Sequence, residues 1–75
     1  MSIKVQIGLR IKELRLGKGI SQEELALEVG LDRTYISGVE NGKRNISVIN
    51  LEKIWLFFDL TPSQFFNSSF FRGCK

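Results

Sequence analysis

Residues 22–43 read Q-E-E-L-A-L-E-V-G-L-D-R-T-Y-I-S-G-V-E-N-G-K, and this run restricts the fold more than any other feature of the chain. Counting Gln22 as the first position, Leu25 is fourth, Ala26 fifth, Gly30 ninth, Ile36 fifteenth and Val39 eighteenth. Each residue type has a steric reason to stand where it does. A small Ala26 fits where two helices cross and a larger side chain would push them apart. Gly30 suits a turn that needs positive φ, which is inexpensive only without a Cβ. Leu25, Ile36 and Val39 then knit the two helices together, leaving the polar face of the second one free to enter a DNA major groove. The spacing is that of a helix-turn-helix. An ordinary helical hairpin in a small bundle is the plainer alternative, but it does not require these positions to agree at fixed intervals.

With 75 residues the chain holds one domain, and 43% hydrophobic content sets it apart from disordered sequences. A domain this small is marginal unless idealised, stapled or oligomeric. Its apolar excess falls late in the sequence, which suggests that a partner covers part of it. Net charge is +3, from 11 Lys and Arg against 8 Asp and Glu, compatible with a polyanion but weak as a signal. Cys74 is the single cysteine, so an intramolecular disulfide and a cysteine zinc cluster are excluded, and a reducing cytoplasm fits; the thiol itself is expected to be incidental. The chain has no histidine, hence no histidine metal site, triad or general base. No nucleophile–base pair, paired-carboxylate site or phosphate loop stands out either. An enzyme, a metal, a cofactor and a small-molecule ligand are therefore not expected. The N-terminal M-S-I-K-V-Q-I-G lacks the apolar core of a signal peptide, and no stretch approaches the ~20 apolar residues that span a bilayer.

The whole reads as an all-α fold of five helices. Ile3, Ile7, Ile11 and Leu14 make one apolar stripe for a first helix over about residues 3–17, with Gly17 and Gly19 stopping it. Ser21 and Glu24 have capping-box spacing for a second helix, Ile20 and Leu25 the spacing of a hydrophobic staple, and Gly30 ends it. Asp32 is placed to cap a third helix reaching about Glu40, where Asn-Gly-Lys breaks it. Ser47 caps a fourth helix, and Thr61, Pro62 and Gln64 open a short fifth one. Residues 67–75 show no periodicity and are expected to fray as a tail.

The third helix would be the one that reads DNA. Arg33 can give two hydrogen bonds to guanine N7 and O6, worth about 1–3 kcal/mol of discrimination. Thr34 offers a hydroxyl or a methyl, and Ser37 a hydroxyl. Tyr35 is a large ring on a polar face, which suggests contact with DNA or with a deformed base step, the alternative being a ring folded back on its own helix. Gly38 sits mid-helix at a loss of about 1 kcal/mol against alanine, either for close approach to a phosphate or for tight packing. Gln22, Lys43, Arg44 and Asn45 flank the helix as candidate phosphate clamps, although a loop with two cations is often simply solvated. Glu40 is an acid near a surface that should repel acids, and Arg15 is its expected partner in a structural ion pair.

The fourth helix is apolar nearly all round. Val48, Leu51, Ile54, Trp55 and Phe58 supply an inward stripe, yet Ile49, Leu56, Phe57 and Leu60 remain, with Phe65 and Phe66 close behind. A surplus of this kind marks an interface, and Ile49, Trp55, Leu56, Phe57, Leu60, Phe65 and Phe66, within about residues 47–66, are expected to pair two copies in a homodimer. Twofold pairing sets two reading helices roughly 34 Å apart, so a palindromic operator in double-stranded DNA follows. An aggregation-prone surface or an engineered segment is the duller account.

Residues 21–43 resemble the helix-turn-helix of phage repressors and Cro-like regulators, a likeness that extends over about residues 3–60. More narrowly, D-R-T-Y-I-S-G-V-E-N-G-K-R-N-I-S with L-E-K-I behind it resembles the controller proteins of bacterial restriction–modification systems. The resemblance implies a lambda-repressor-like, five-helix homodimer that binds operators upstream of its own gene and the endonuclease gene. It implies activation at a strong site, repression once a second dimer fills a weaker one, and contact with RNA polymerase through residues that no motif identifies. By matching positions, Arg33, Thr34, Tyr35 and Ser37 would read or deform the site, and Gln22, Asn41, Arg44 and Asn45 would hold backbone. The chain departs from the pattern at residues 55–58, where W-L-F-F replaces smaller and more polar residues. Two other readings stay open: a different Xre-like regulator or an antitoxin that binds a toxin through its apolar tail, and a protein-interaction module that kept the fold but lost DNA binding.

Overall fold

A computed structural model describes residues 2–72 and places five α-helices in them: α1 (Ile3–Lys18), α2 (Gln22–Val29), α3 (Arg33–Glu40), α4 (Val48–Phe57) and α5 (Pro62–Phe66), followed by a 3-10 turn (Ser69–Phe71). The all-α, five-helix expectation holds. Cys74 lies outside the described residues.

Helix starts follow the capping chemistry that the sequence carries. Ser21 and Thr61 each accept from the backbone three residues on, while Glu24 and Gln64 reach back to the cap N–H, two complete capping boxes. Ser47 accepts from Asn50 N at 3.1 Å. Asp32 takes the cap position of α3, but its side chain makes no capping bond. The ends of α1, α2 and α4 share one closure, in which a residue at positive φ donates back into the last turn and its successor donates to the carbonyl one residue earlier. The bonds are Ile20 N to Arg15 O, Leu31 N to Ala26 O and Leu60 N to Trp55 O. Gly19 and Gly30 serve the first two at φ 74° and 70°. Gly17 does not stop α1; it lies within the helix, and the stop is Gly19 alone.

Asp59 performs the third closure at φ 60°, where a Cβ is strained. Asp59→Gly is therefore expected to stabilise the domain by about 0.5–1 kcal/mol, read as a higher melting midpoint. A lower midpoint would mean that the aspartate side chain itself holds this turn.

The core is Ile11, Leu25, Ala26, Val29, Ile36, Val39, Leu51, Ile54 and Phe65. On α1 the expected stripe is rotated. Ile11 is central and Ile7 and Leu14 are half-buried, but Ile3 is exposed, and the buried line runs through Gln6, Gly8, Ile11 and Arg15. Gly8 is where α1 crosses the end of α3. A Cβ there would stand 2.9 Å from Glu40 O and closer still to Val39 O, so only glycine lets the backbones meet. Arg10 ties α1 to the other end of the chain, its Nε and Nη2 donating to Phe65 O at 2.6 Å and Gln64 O at 2.9 Å, where a cation suits a helix C-terminus.

Three expectations about the C-terminal third are corrected here. Val48 is not part of the inward stripe of α4 but 74% exposed. Phe65, expected at an interface, is fully buried in its own monomer, with its ring 6.1 Å from Trp55 and 6.4 Å from Phe71. Residues 67–72 do not hang free: Ser68 is buried, Phe71 packs on the core, and Gln6 Nε2 donates to Phe70 O at 2.7 Å. Aromatic mass, rather than periodicity, folds this segment back.

Candidate nucleic-acid interface

The corner of α2 and α3 is set by a buried charge bracket. Arg15 Nε donates to Glu40 Oε2 at 2.7 Å and Nη2 to Glu40 Oε1 at 2.9 Å, a two-pronged pair whose side chains are almost wholly out of solvent. Arg15 Nη1 also donates to Ile20 O at 2.9 Å, so the bracket fastens the end of α1, the entry to α2 and the end of α3. The hydrogen bond to Glu40 raises the Arg15 pKa above its ordinary value, against the opposing effect of burial, and the guanidinium stays charged throughout the physiological range. Gln22, the first residue of α2, joins from the surface side, Nε2 donating to Glu40 Oε1 at 3.1 Å.

Ile36 and Val39 hold the inner face of α3 in the core, which turns Arg33, Thr34 and Ser37 outward around a shallow polar depression. Arg33 and Thr34 are exposed, at the end of the helix that has no side-chain cap. Tyr35 is half-buried, and its hydroxyl accepts from Ser47 N at 3.3 Å and Asn50 Nδ2 at 3.2 Å, tying α3 to the start of α4. Its ring carries Arg44, whose guanidinium carbon lies 4.8 Å from the ring centre. Gly38 makes room for the same side chain. A Cβ at position 38 would sit 3.2 Å from Arg44 Cβ, and Gly38 O accepts from both Lys43 N and Arg44 N. Gly42, at φ 72°, presses the turn against Val5 and leaves Asn41, Lys43, Arg44 and Asn45 exposed beside α3.

The structure thus gathers Arg33, Thr34, Ser37 and the 41–45 loop around one helix. Gln22 stands at the mouth of α2, its amide engaged with Glu40. Asn50 was not singled out in the sequence, and nothing in its spacing pointed to the tyrosine hydroxyl it holds. Of the residues expected at a dimer surface, Ile49 and Leu56 are 65% and 63% exposed, Phe66 is at the surface, and Trp55, Phe57 and Leu60 are half-buried against their own core.

A helix-turn-helix family model matches residues 11–65, the greater part of the chain. The control protein C.MunI of a Mycoplasma species is 48% identical over 66 residues, covering 87% of this chain and 89% of that protein. The crystal structure of the restriction–modification controller protein C.AhdI from Aeromonas hydrophila superposes with a TM-score of 0.79 at 48% identity, covering 84% of this chain and 96% of that one. The chain belongs to the restriction–modification controller proteins. Members of this family are helix-turn-helix regulators that work by binding DNA and not by catalysis. A further controller protein, C.Esp1396I, has been solved as a tetramer with its natural 35 base-pair operator; it is 40% identical to this chain, each covers 88% of the other, and the TM-score is 0.79. Among the described residues of this controller, no helix is long and apolar enough to cross a membrane.

Proposed function

We propose that two copies of this chain bind a palindromic operator in the cytoplasm and regulate a restriction–modification operon, activating transcription together with RNA polymerase at a strong site and repressing it when a second dimer fills a weaker one. The observation that carries the reading is the outward face of α3, where Arg33, Thr34 and Ser37 stand together on a helix braced from behind by the Arg15–Glu40 bracket. A recognition helix needs this combination of exposed donors and a rigid back. The operator complex of the related C.Esp1396I supports the same use of the fold. Pairing of copies draws on Val48, Ile49 and Leu56, three exposed apolar side chains on one short helix, with Phe66 near them in the chain.

In this reading Arg33, Thr34 and Ser37 meet base edges, with Tyr35 beside them, while Gln22, Asn41, Lys43, Arg44 and Asn45 hold phosphates and Gly38 seats Arg44. Titrating labelled DNA from upstream of the gene tests it. Arg33→Ala is expected to weaken operator binding by about 1–3 kcal/mol and to relax choice at one base pair. Arg44→Ala is expected to weaken operator and random duplex alike and to lower the salt slope by about one. Equal losses on specific and random DNA for both variants would remove the distinction between reading and clamping on which the assignment rests.

A further inference from the structure

Glu40 poses a problem that packing alone does not answer. An acid at the end of the helix meant for DNA should repel phosphates, and a buried ion pair adds little net stability over a well-packed apolar pair. Its two carboxylate oxygens have separate duties. Oε2 takes Arg15 Nε at 2.7 Å, whereas Oε1 is shared between Arg15 Nη2 at 2.9 Å and Gln22 Nε2 at 3.1 Å. Gln22 is half-buried, so part of it still meets solvent. It stands at the first position of α2, where the backbone N–H groups of the opening turn have no helical acceptor.

We infer that Glu40 is a positioning residue for Gln22, one that fixes the side-chain amide so that its remaining donor and the N-terminus of α2 face a DNA phosphate together. A free glutamine has many rotamers to lose on ordering, and that loss of entropy weakens any clamp it makes. One N–H bonded to a buried carboxylate removes most of that freedom before DNA arrives, which is the general benefit of preorganisation. Arg15 makes the arrangement tolerable, because its charge cancels that of Glu40 at hydrogen-bond distance and leaves the bracket close to neutral toward the phosphate. An acid near the DNA face is thereby useful and not repulsive. The inference rests on the proposed function, in which Gln22 clamps the operator backbone.

A double-mutant cycle on operator affinity tests it, with the full chain and a salt series, using Gln22→Ala, Glu40→Gln and the two combined. Gln22→Ala should weaken binding about tenfold, in line with a lost hydrogen bond to a charged group. Glu40→Gln should weaken it in the parent, yet add nothing once Gln22 is gone. If instead Glu40→Gln lowers affinity by the same factor in both backgrounds, Glu40 acts through the scaffold and the inference fails while the clamp stands. If Gln22→Ala leaves affinity unchanged, the clamp fails and the inference with it. Should Glu40→Gln unfold the domain, Glu40→Asp serves in its place, since the shorter acid keeps its charge for Arg15 but draws back from Gln22. A melting curve run beside each titration shows that the folded fraction is equal in the variants compared.

Discussion

Phe65→Ala is expected to leave a domain barely able to fold. Phe65 comes from a helix of five residues that could not persist alone, yet its side chain is completely buried. The ring lies among Trp55 at 6.1 Å, Phe66 at 5.0 Å and Phe71 at 6.4 Å, and the same residue's carbonyl receives Arg10 Nε at 2.6 Å. Truncating a buried phenylalanine costs about 3–5 kcal/mol. A domain of 75 residues has roughly 4–11 kcal/mol of net stability, so the loss takes a large part of it. Removing the ring also loosens the base on which residues 67–72 rest and the anchor of Arg10. The measurement is denaturant unfolding at several protein concentrations, since dimerisation would raise apparent stability by mass action. Leu56→Ala gives the contrast. Leu56 is 63% exposed, so its truncation should shift the concentration-independent stability by less than about 0.5 kcal/mol and act on self-association instead. Were Phe65→Ala to behave like Leu56→Ala, the assignment of Phe65 to the monomer core would be wrong.

That contrast also marks where the sequence stops being informative. Capping residues are local, and Ser21, Ser47 and Thr61 opened their helices as their hydroxyls required. The turn at Gly30 and the inward set of Leu25, Ile36 and Val39 were legible for the same reason, because neighbours a few residues apart in one short motif settle them. What could not be read is whatever depends on residues distant in sequence. Gly8 looks like a weak point in a helix until the carbonyls of Val39 and Glu40 come against it. Arg10 looks like any solvated cation until Gln64 and Phe65 present their carbonyls. In the C-terminal third, counting apolar residues shows that too many exist for a solvated helix, but not which of them the monomer keeps. Phe65 goes in, Val48, Ile49 and Leu56 stay out, and Trp55 divides itself between the two. Around α3 the residue types were readable, while the seat that Tyr35 and Gly38 make for Arg44 required the loop to close over them.

Arg15→Ala should be as damaging as the loss of Phe65, for an electrostatic reason and not a packing one. With the guanidinium gone, the Glu40 carboxylate, 1% exposed, would keep Gln22 as its hydrogen-bond donor and no countercharge. Breaking a buried pair in this way costs about 3–5 kcal/mol, because a desolvated charge is left behind. Replacing both partners by apolar residues of similar size is another matter, and Arg15→Met with Glu40→Leu together should unfold close to the parent midpoint. The pH dependence has a definite sign. Arg15 has its pKa raised in the folded state, so its share of the stability is complete below the unfolded-state pKa and disappears only as pH rises through the still higher folded value. Parent and double variant should accordingly show no divergence from Arg15 titration between neutral and mildly alkaline pH. Operator affinity separates them instead. The apolar pair preserves the fold but removes the acceptor that holds Gln22, so the double variant should be nearly as stable as the parent and still bind its operator more weakly. Unimpaired binding by a stably folded double variant would show that the bracket serves the fold alone.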